Sequence, residues 1–225
     1  MAAGPAPDFI YIDENLAFIH KPPGVALLAD RSGAPCLWEG LKAELGKPYL
    51  VHRLDKGTSG VLAVARNQAT QARLTRAFRD RLVQKTYLAR VTGNPRVRGT
   101  GVIDLPLRPG RKNRYRIAGP RDGIRRSGDL WTHPAADGGH PARTRFRVLR
   151  RDAGRTCLVL RPTTGRTHQL RVHLSWIGHP IAGDTLYGNP RSPAQRAERL
   201  MLHALRLKLP GYPAITAPAR GFEFG

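Results

Sequence analysis

VHRLDKGTSGVLAVA, residues 51–65, is the stretch on which the reading of this chain turns. Its first part sets a single carboxylate, Asp55, between Arg53 and Lys56 and follows it with a Gly-Thr-Ser-Gly turn. Its second part, residues 60–65, is a short apolar run bounded by turn formers, the pattern of a buried strand. Flanking cations keep a carboxylate ionised, and glycines let a backbone approach a ligand closely. On spacing alone, a turn aspartate bonded within its own loop is the commoner reading of Asp55.

On the N-terminal side, FIYIDENLAFIHKPPG reads as two short strands around the turn Asp13-Glu14-Asn15, ended by Pro22-Pro23-Gly24. Leu37, Leu41 and Leu45 recur at four-residue spacing ahead of Gly46, which predicts a short helix over 37–46. On the C-terminal side, Asn67 caps a predicted helix over 68–82 with Leu74, Ala77, Phe78 and Leu82 near one face. KTYLARVTG (85–93) alternates as a strand. Residues 94–142 are rich in Arg, Gly and Pro and are expected to hold edge strands or long loops. TRFRVLR and TCLVLRP, joined through RDAG, predict a hairpin. TGRTHQLRVHLSWIG then switches to helical spacing, with Leu170, Leu174 and Ile177 on one face and Gly178 at the stop. Residues 200–210 read as a further strand. Strands and helices mix without regular βαβ alternation, so the expected class is α+β with a mixed, mainly antiparallel central sheet flanked by helices and loops.

The chain has 225 residues, with 38 Lys and Arg against 16 Asp and Glu, a formal charge of +22. Residues 1–50 are net −2 and residues 51–225 net +24, and Arg outnumbers Lys by 31 to seven. Arginine forks bind phosphate bidentately and stack on bases, so this imbalance points to nucleic acid. The length suits one domain, or one domain folded as two lobes. Two cysteines, Cys36 and Cys157, exclude a disulfide scaffold or a zinc ribbon. No run of about 18 apolar residues reads as a spanning helix. The N-terminus lacks a signal-peptide pattern. A cytoplasmic protein without a membrane partner is the expectation.

Three further segments carry candidate chemistry. Residues 164–171, TGRTHQLR, place Arg166 where a strand ends and a helix begins, next to free N–H groups that favour an anion. Tyr87 sits on the predicted strand 85–93, where a core role or stacking on a base are both open. Asp184, in GHPIAGDTLYG, reads as a turn aspartate. His168 and His173 lie five apart, on different helix faces, with no Cys, Asp or Glu at ligand spacing, so no metal is expected. Walker-type, GxGxxG and GxSxG loops are absent.

Together VHRLDKGTSG, KTYLARVTG and GRTHQLRVHLSWIGHPIAGDTLYG resemble the three signature stretches of the RluA family of pseudouridine synthases, in the family's order and rough spacing. The resemblance runs from about Phe9 to the C-terminus, and its first motif, HRLDxxTSG, is highly specific. It implies the pseudouridine synthase fold with a catalytic cleft, and an enzyme that isomerises specific uridines in ribosomal or transfer RNA with no cofactor and no metal. Asp55 matches the catalytic aspartate, Tyr87 the tyrosine that stacks on the target base and helps remove the C5 proton, and Arg166 the arginine that pairs with the aspartate. Arg53 matches a residue that in some members fills the gap left by the flipped base. His52 of the same motif, and Leu170 at the helix start, fall on the substrate-binding side. The whole chain, 1–225, is expected to be one catalytic domain acting as a monomer, like the short members without an N-terminal RNA-binding domain. The Arg-rich segment 106–126 matches nothing in the family pattern. A non-catalytic RNA-binding protein that keeps the fold is the alternative.

Overall fold

A computed structural model describes residues 4–222 apart from Asn113, Ala153, Pro190, Pro193 and Ala194. In chain order the elements are β1 (Asp8–Ile12), β2 (Leu16–Lys21), α1 (Leu37–Leu45), β3 (Tyr49–Leu50), β4 (Ser59–Ala65), α2 (Gln68–Arg79) and β5 (Gln84–Thr92). Five short strands follow: β6 (Gly101–Asp104), β7 (Leu107–Pro109), β8 (Tyr115–Ile117), β9 (Arg125–Ser127) and β10 (Leu130–Thr132). The chain then forms β11 (Arg143–Asp152), β12 (Arg155–Pro162), α3 (Gln169–Trp176), β13 (Leu202–Lys208) and β14 (Ala214–Thr216). The chain divides into two compact units, residues 1–85 with 203–225, and residues 86–202.

In the first unit, β4 is the central strand because all seven of its residues are buried. It pairs antiparallel with β2, which is buried except at His20, and β2 pairs with β1. On its other side β4 runs parallel to β13, with His203 opposite Ser59 and Ala204 opposite Gly60. The close approach explains the last glycine of the signature turn. Gly60 has φ +115°, and a Cβ there would lie 2.2 Å from the Ala204 carbonyl oxygen. α2 starts where its cap predicts, the Asn67 side chain accepting from the Thr70 N–H at 2.9 Å. It ends at Arg79, three residues short of the predicted boundary. Arg81 takes a left-handed φ of +59°, and Leu82 is left exposed.

In the second unit the strand order is β5-β12-β11-β6-β10-β9, antiparallel except for β6 with β10, and β7 pairs with β8 as a separate hairpin. The hairpin β11–β12 alternates, with Thr144 and Phe146 buried and Arg143, Arg145 and Arg147 exposed, as the pattern predicts. Its ladder slips by one residue between Val148 and Arg150. Residues 94–142, expected as edge strands or long loops, therefore supply five short strands and a single turn of 3₁₀ helix at Arg121–Gly123. α3 differs from its one-faced prediction, since its residues from Gln169 to Ser175 are all buried. Its polar side chains tolerate burial because each finds a partner, Ser175 donating to the Tyr187 carbonyl at 2.7 Å and the others as described below. The architecture is α+β, with three α-helices among the described residues and a mixed, mainly antiparallel set of strands.

Candidate active site

Asp55 lies in the loop between β3 and β4 and is half-buried, with Arg53 and Lys56 exposed beside it. The loop turns through a Thr58 N–H to Asp55 C=O bond of 3.0 Å. A second residue fixes it from beneath. Lys21, at the end of β2, is fully buried, and its Nζ donates to the carbonyls of Pro22, Val25 and Lys56 at 2.8, 2.8 and 3.0 Å. All three ammonium donors are thus spent on backbone, one of them in the Asp55 loop. Burial pulls the Lys21 pKa down to about 8, and the negative charge of Asp55 offsets part of that fall. Lys56 itself pairs with Asp30 at 2.8 Å. The loop's far end is tied by Ser59, whose hydroxyl is 2.9 Å from His203 Nδ1, while His203 Nε2 donates to the Ala217 carbonyl.

His52 stacks on Phe78 with ring centroids 4.7 Å apart. Its Nε2 accepts the Ala63 N–H at 2.9 Å, which commits the ring to the neutral form with hydrogen on Nδ1. Burial, together with the charge of Lys85, lowers its pKa to about 3. His52 thereby ties the loop to β4. Lys85, two residues before Tyr87 in sequence, is pushed to about 8 by burial.

In the second unit Tyr87 is half-buried on β5, opposite Leu160 of β12. Arg166 is exposed in the turn before α3. Its Nε donates to the Pro141 carbonyl at 3.2 Å. Its backbone N–H, expected to be open to an anion, is taken by Gln169 Oε1 at 3.0 Å. Gln169, the first residue of α3, uses its whole amide. Oε1 also accepts from the Thr164 hydroxyl at 2.7 Å, and Nε2 donates to the Arg143 carbonyl at 3.1 Å and to Thr144 Oγ1 at 3.0 Å. Thr144 in turn meets His173 Nδ1 at 3.0 Å, and His173 Nε2 donates to the Leu105 carbonyl at 2.9 Å. Burial keeps His173 neutral and lowers its pKa to about 4.

His168 has a left-handed φ of +56°, and its Nδ1 lies 2.8 Å from the Tyr187 hydroxyl, which also accepts the Tyr115 N–H at 2.8 Å. Asp184 is a structural turn aspartate. It holds Arg171 through two bonds of 2.8 Å and accepts the N–H groups of Leu186 and Tyr187. Leu170 is buried. The first unit thus places His52, Arg53 and Asp55 on one loop, and the second holds Arg166 and Leu170 about the start of α3. Lys21, Gln169, Arg171 and Tyr187 escape sequence reading. Their partners are remote in the chain, and nothing local marks a buried lysine or a hydrogen-bonded glutamine.

The chain's residues 15–176 match the family model described as RNA pseudouridylate synthase. The chain belongs to the RNA pseudouridylate synthase family. It is 38% identical over 206 residues to an uncharacterized RNA pseudouridine synthase of Zymomonas mobilis, covering 89% of this chain and 86% of that protein. It is 36% identical over 215 residues to the dual-specificity RNA pseudouridine synthase RluA of Escherichia coli K12, covering 94% and 88%. Among solved structures, human RNA pseudouridylate synthase domain containing 1 superposes with a TM-score of 0.78 at 27% identity, covering 97% of this chain and 86% of that one. Human RNA pseudouridylate synthase domain containing 4 gives 0.74 at 27%, covering 93% and 87%. This pseudouridine synthase is an isomerase acting on RNA, with the fold of its family. Among the described residues no helix is long and apolar enough to cross a membrane.

Proposed function

We propose that this synthase converts uridines of ribosomal or transfer RNA by extruding the target nucleotide and rearranging its glycosidic bond with Asp55 as the essential group. The match of Asp55 to the aspartate of HRLDxxTSG carries this reading. A half-buried carboxylate on a braced loop suits the role. Extrusion costs a few kcal/mol of unstacking, which arginine–phosphate contacts offset and Arg53 relieves by filling the vacated stack. The uracil then lies against Tyr87, and Arg166 pairs with the Asp55 carboxylate and orients it. His52 and Leu170 belong to the substrate side. Asp55 attacks C1′ of the ribose, attacks C6 of uracil, or takes the 2′ proton. In each route the C1′–N1 bond breaks, the base turns, and a C1′–C5 bond forms. The C5 proton leaves and N1 gains one, so the product is an isomer.

The Escherichia coli relative is a dual-specificity RNA pseudouridine synthase, which supports testing more than one class of RNA. We take the chain to act in the cytoplasm as a monomeric, single catalytic domain. Mapping pseudouridine in ribosomal and transfer RNA from a strain lacking this protein, beside its parent, tests the reading. A site lost in the mutant and restored by the wild-type gene, but not by Asp55→Asn, is expected. Identical maps in the two strains contradict the proposal.

A further inference from the structure

The sheet of the second unit has two unlike faces. Tyr87, Leu160 and Phe146 are paired across β5, β12 and β11 and so share one face. Thr144 belongs to the same face, and α3 closes over it through Gln169 and His173. The other face carries arginines. Arg143, Arg145 and Arg147 alternate outward along β11, with Arg161 on β12 and Arg125 on β9, and all five are exposed.

Arg145 stands directly opposite Arg161 in the antiparallel ladder. A like-charge pair in that position destabilises a sheet. Arg143 is opposite Asp104, whose carboxylate lies 3.7 Å away and is the acid that strand pairing sets among these arginines. Among the described residues, the side chains of Arg145, Arg147 and Arg161 form no hydrogen bond or ion pair. Along β11 the guanidinium groups therefore recur every second residue, about 7 Å apart, and among the described residues four of the five arginines have no internal counter-charge. A folded protein needs no such array for its own stability; a polyanion with regularly spaced charges does satisfy it.

We propose that this arginine face, on the side of the sheet away from Tyr87, is a second RNA-binding surface that grips the phosphates of RNA flanking the modified uridine. It rests on the reading of the chain as an enzyme acting on RNA. The contacts are to backbone, so the face supplies affinity and orientation and carries no sequence preference.

The test uses the full chain and RNA from cells lacking this protein, tritiated at uridine C5. Retention on filters across a salt series reads binding, and tritium release at saturating RNA reads chemistry. The triple variant Arg145→Gln, Arg147→Gln, Arg161→Gln is expected to bind about tenfold more weakly at about 0.15 M salt, with the slope of log affinity on log salt reduced by about 2. Its tritium release at saturation matches wild type. The corresponding triple Lys variant keeps most of the affinity, because charge is retained. Arg161→Gln alone relieves the repulsion with Arg145, so its thermal midpoint stays at or above wild type, separating lost binding from lost folding. A triple Gln variant with wild-type affinity and salt slope overturns the proposal. Absence of tritium release from the wild-type chain defeats the enzymatic reading instead, and the binding comparison still decides the face.

Discussion

The turns that carry Asp55 and Arg166 are braced by the same device in two chemical forms. Beneath Asp55, a buried ammonium on Lys21 spends three donors on three backbone carbonyls. Beside Arg166, the amide of Gln169 spends two donors and two acceptors on Arg143, Thr144, Thr164 and Arg166. The lysine brace brings a charge indoors, and its lowered pKa records the penalty. The glutamine brace is neutral and carries no such penalty. These two loops are thus held by single long-range side chains, and the cost of losing each differs for a reason that can be measured.

Gln169→Leu should cost the most stability, about 3–4 kcal/mol by denaturant unfolding, because it strands buried donors and acceptors together. Lys21→Met should cost less, about 2–3 kcal/mol. It leaves three carbonyls unpaired but also removes a buried charge whose fall from 10.5 to about 8 corresponds to roughly 3 kcal/mol. A Lys21 variant more damaging than the Gln169 variant would reverse this ranking.

Acid adds a third contrast. His173 binds its proton at 6.5 when unfolded and near 4 when folded, so stability on its account is present above about 6.5 and is lost as pH falls toward 4. At about pH 4.5 the loss is about 2–3 kcal/mol, and His173→Asn should flatten that limb of a thermal-midpoint profile. Lys21 carries the same sign in a higher window. Between about 8 and 10.5 the unfolded chain holds more protons, so its contribution to stability rises with pH. In that same window the brace drops from three donors to two, and turnover should decline without a lower midpoint from this group. The smallest effect belongs to Tyr187→Phe, about 1–2 kcal/mol, from the unpaired Tyr115 N–H and the lost partner of His168.

Much of this molecule is legible locally. The β11–β12 hairpin, α1 and the Asn67 cap follow from alternation, four-residue spacing and a capping side chain, all of which act within a few residues. The end of α2 is not legible, because helical spacing continues to Leu82 while Arg81 turns left-handed. The short strands within 94–142 are stabilised by partners elsewhere, such as β6 by β11. Asp55, Tyr87 and Arg166 are marked by motif. Their supports are not, since Lys21 reaches a carbonyl 35 positions away and Gln169 one 26 positions away. A lysine before Pro-Pro-Gly reads as a solvated turn residue, and a glutamine at a helix start reads as an exposed one.

Tritium release from RNA labelled at uridine C5, measured for wild type and Asp55→Asn with RNA binding followed alongside, bears most directly on the claim that one carboxylate drives the isomerisation. The account predicts release by wild type, none above background by Asp55→Asn, and near-equal affinity for the two. Release by Asp55→Asn near the wild-type rate would contradict it.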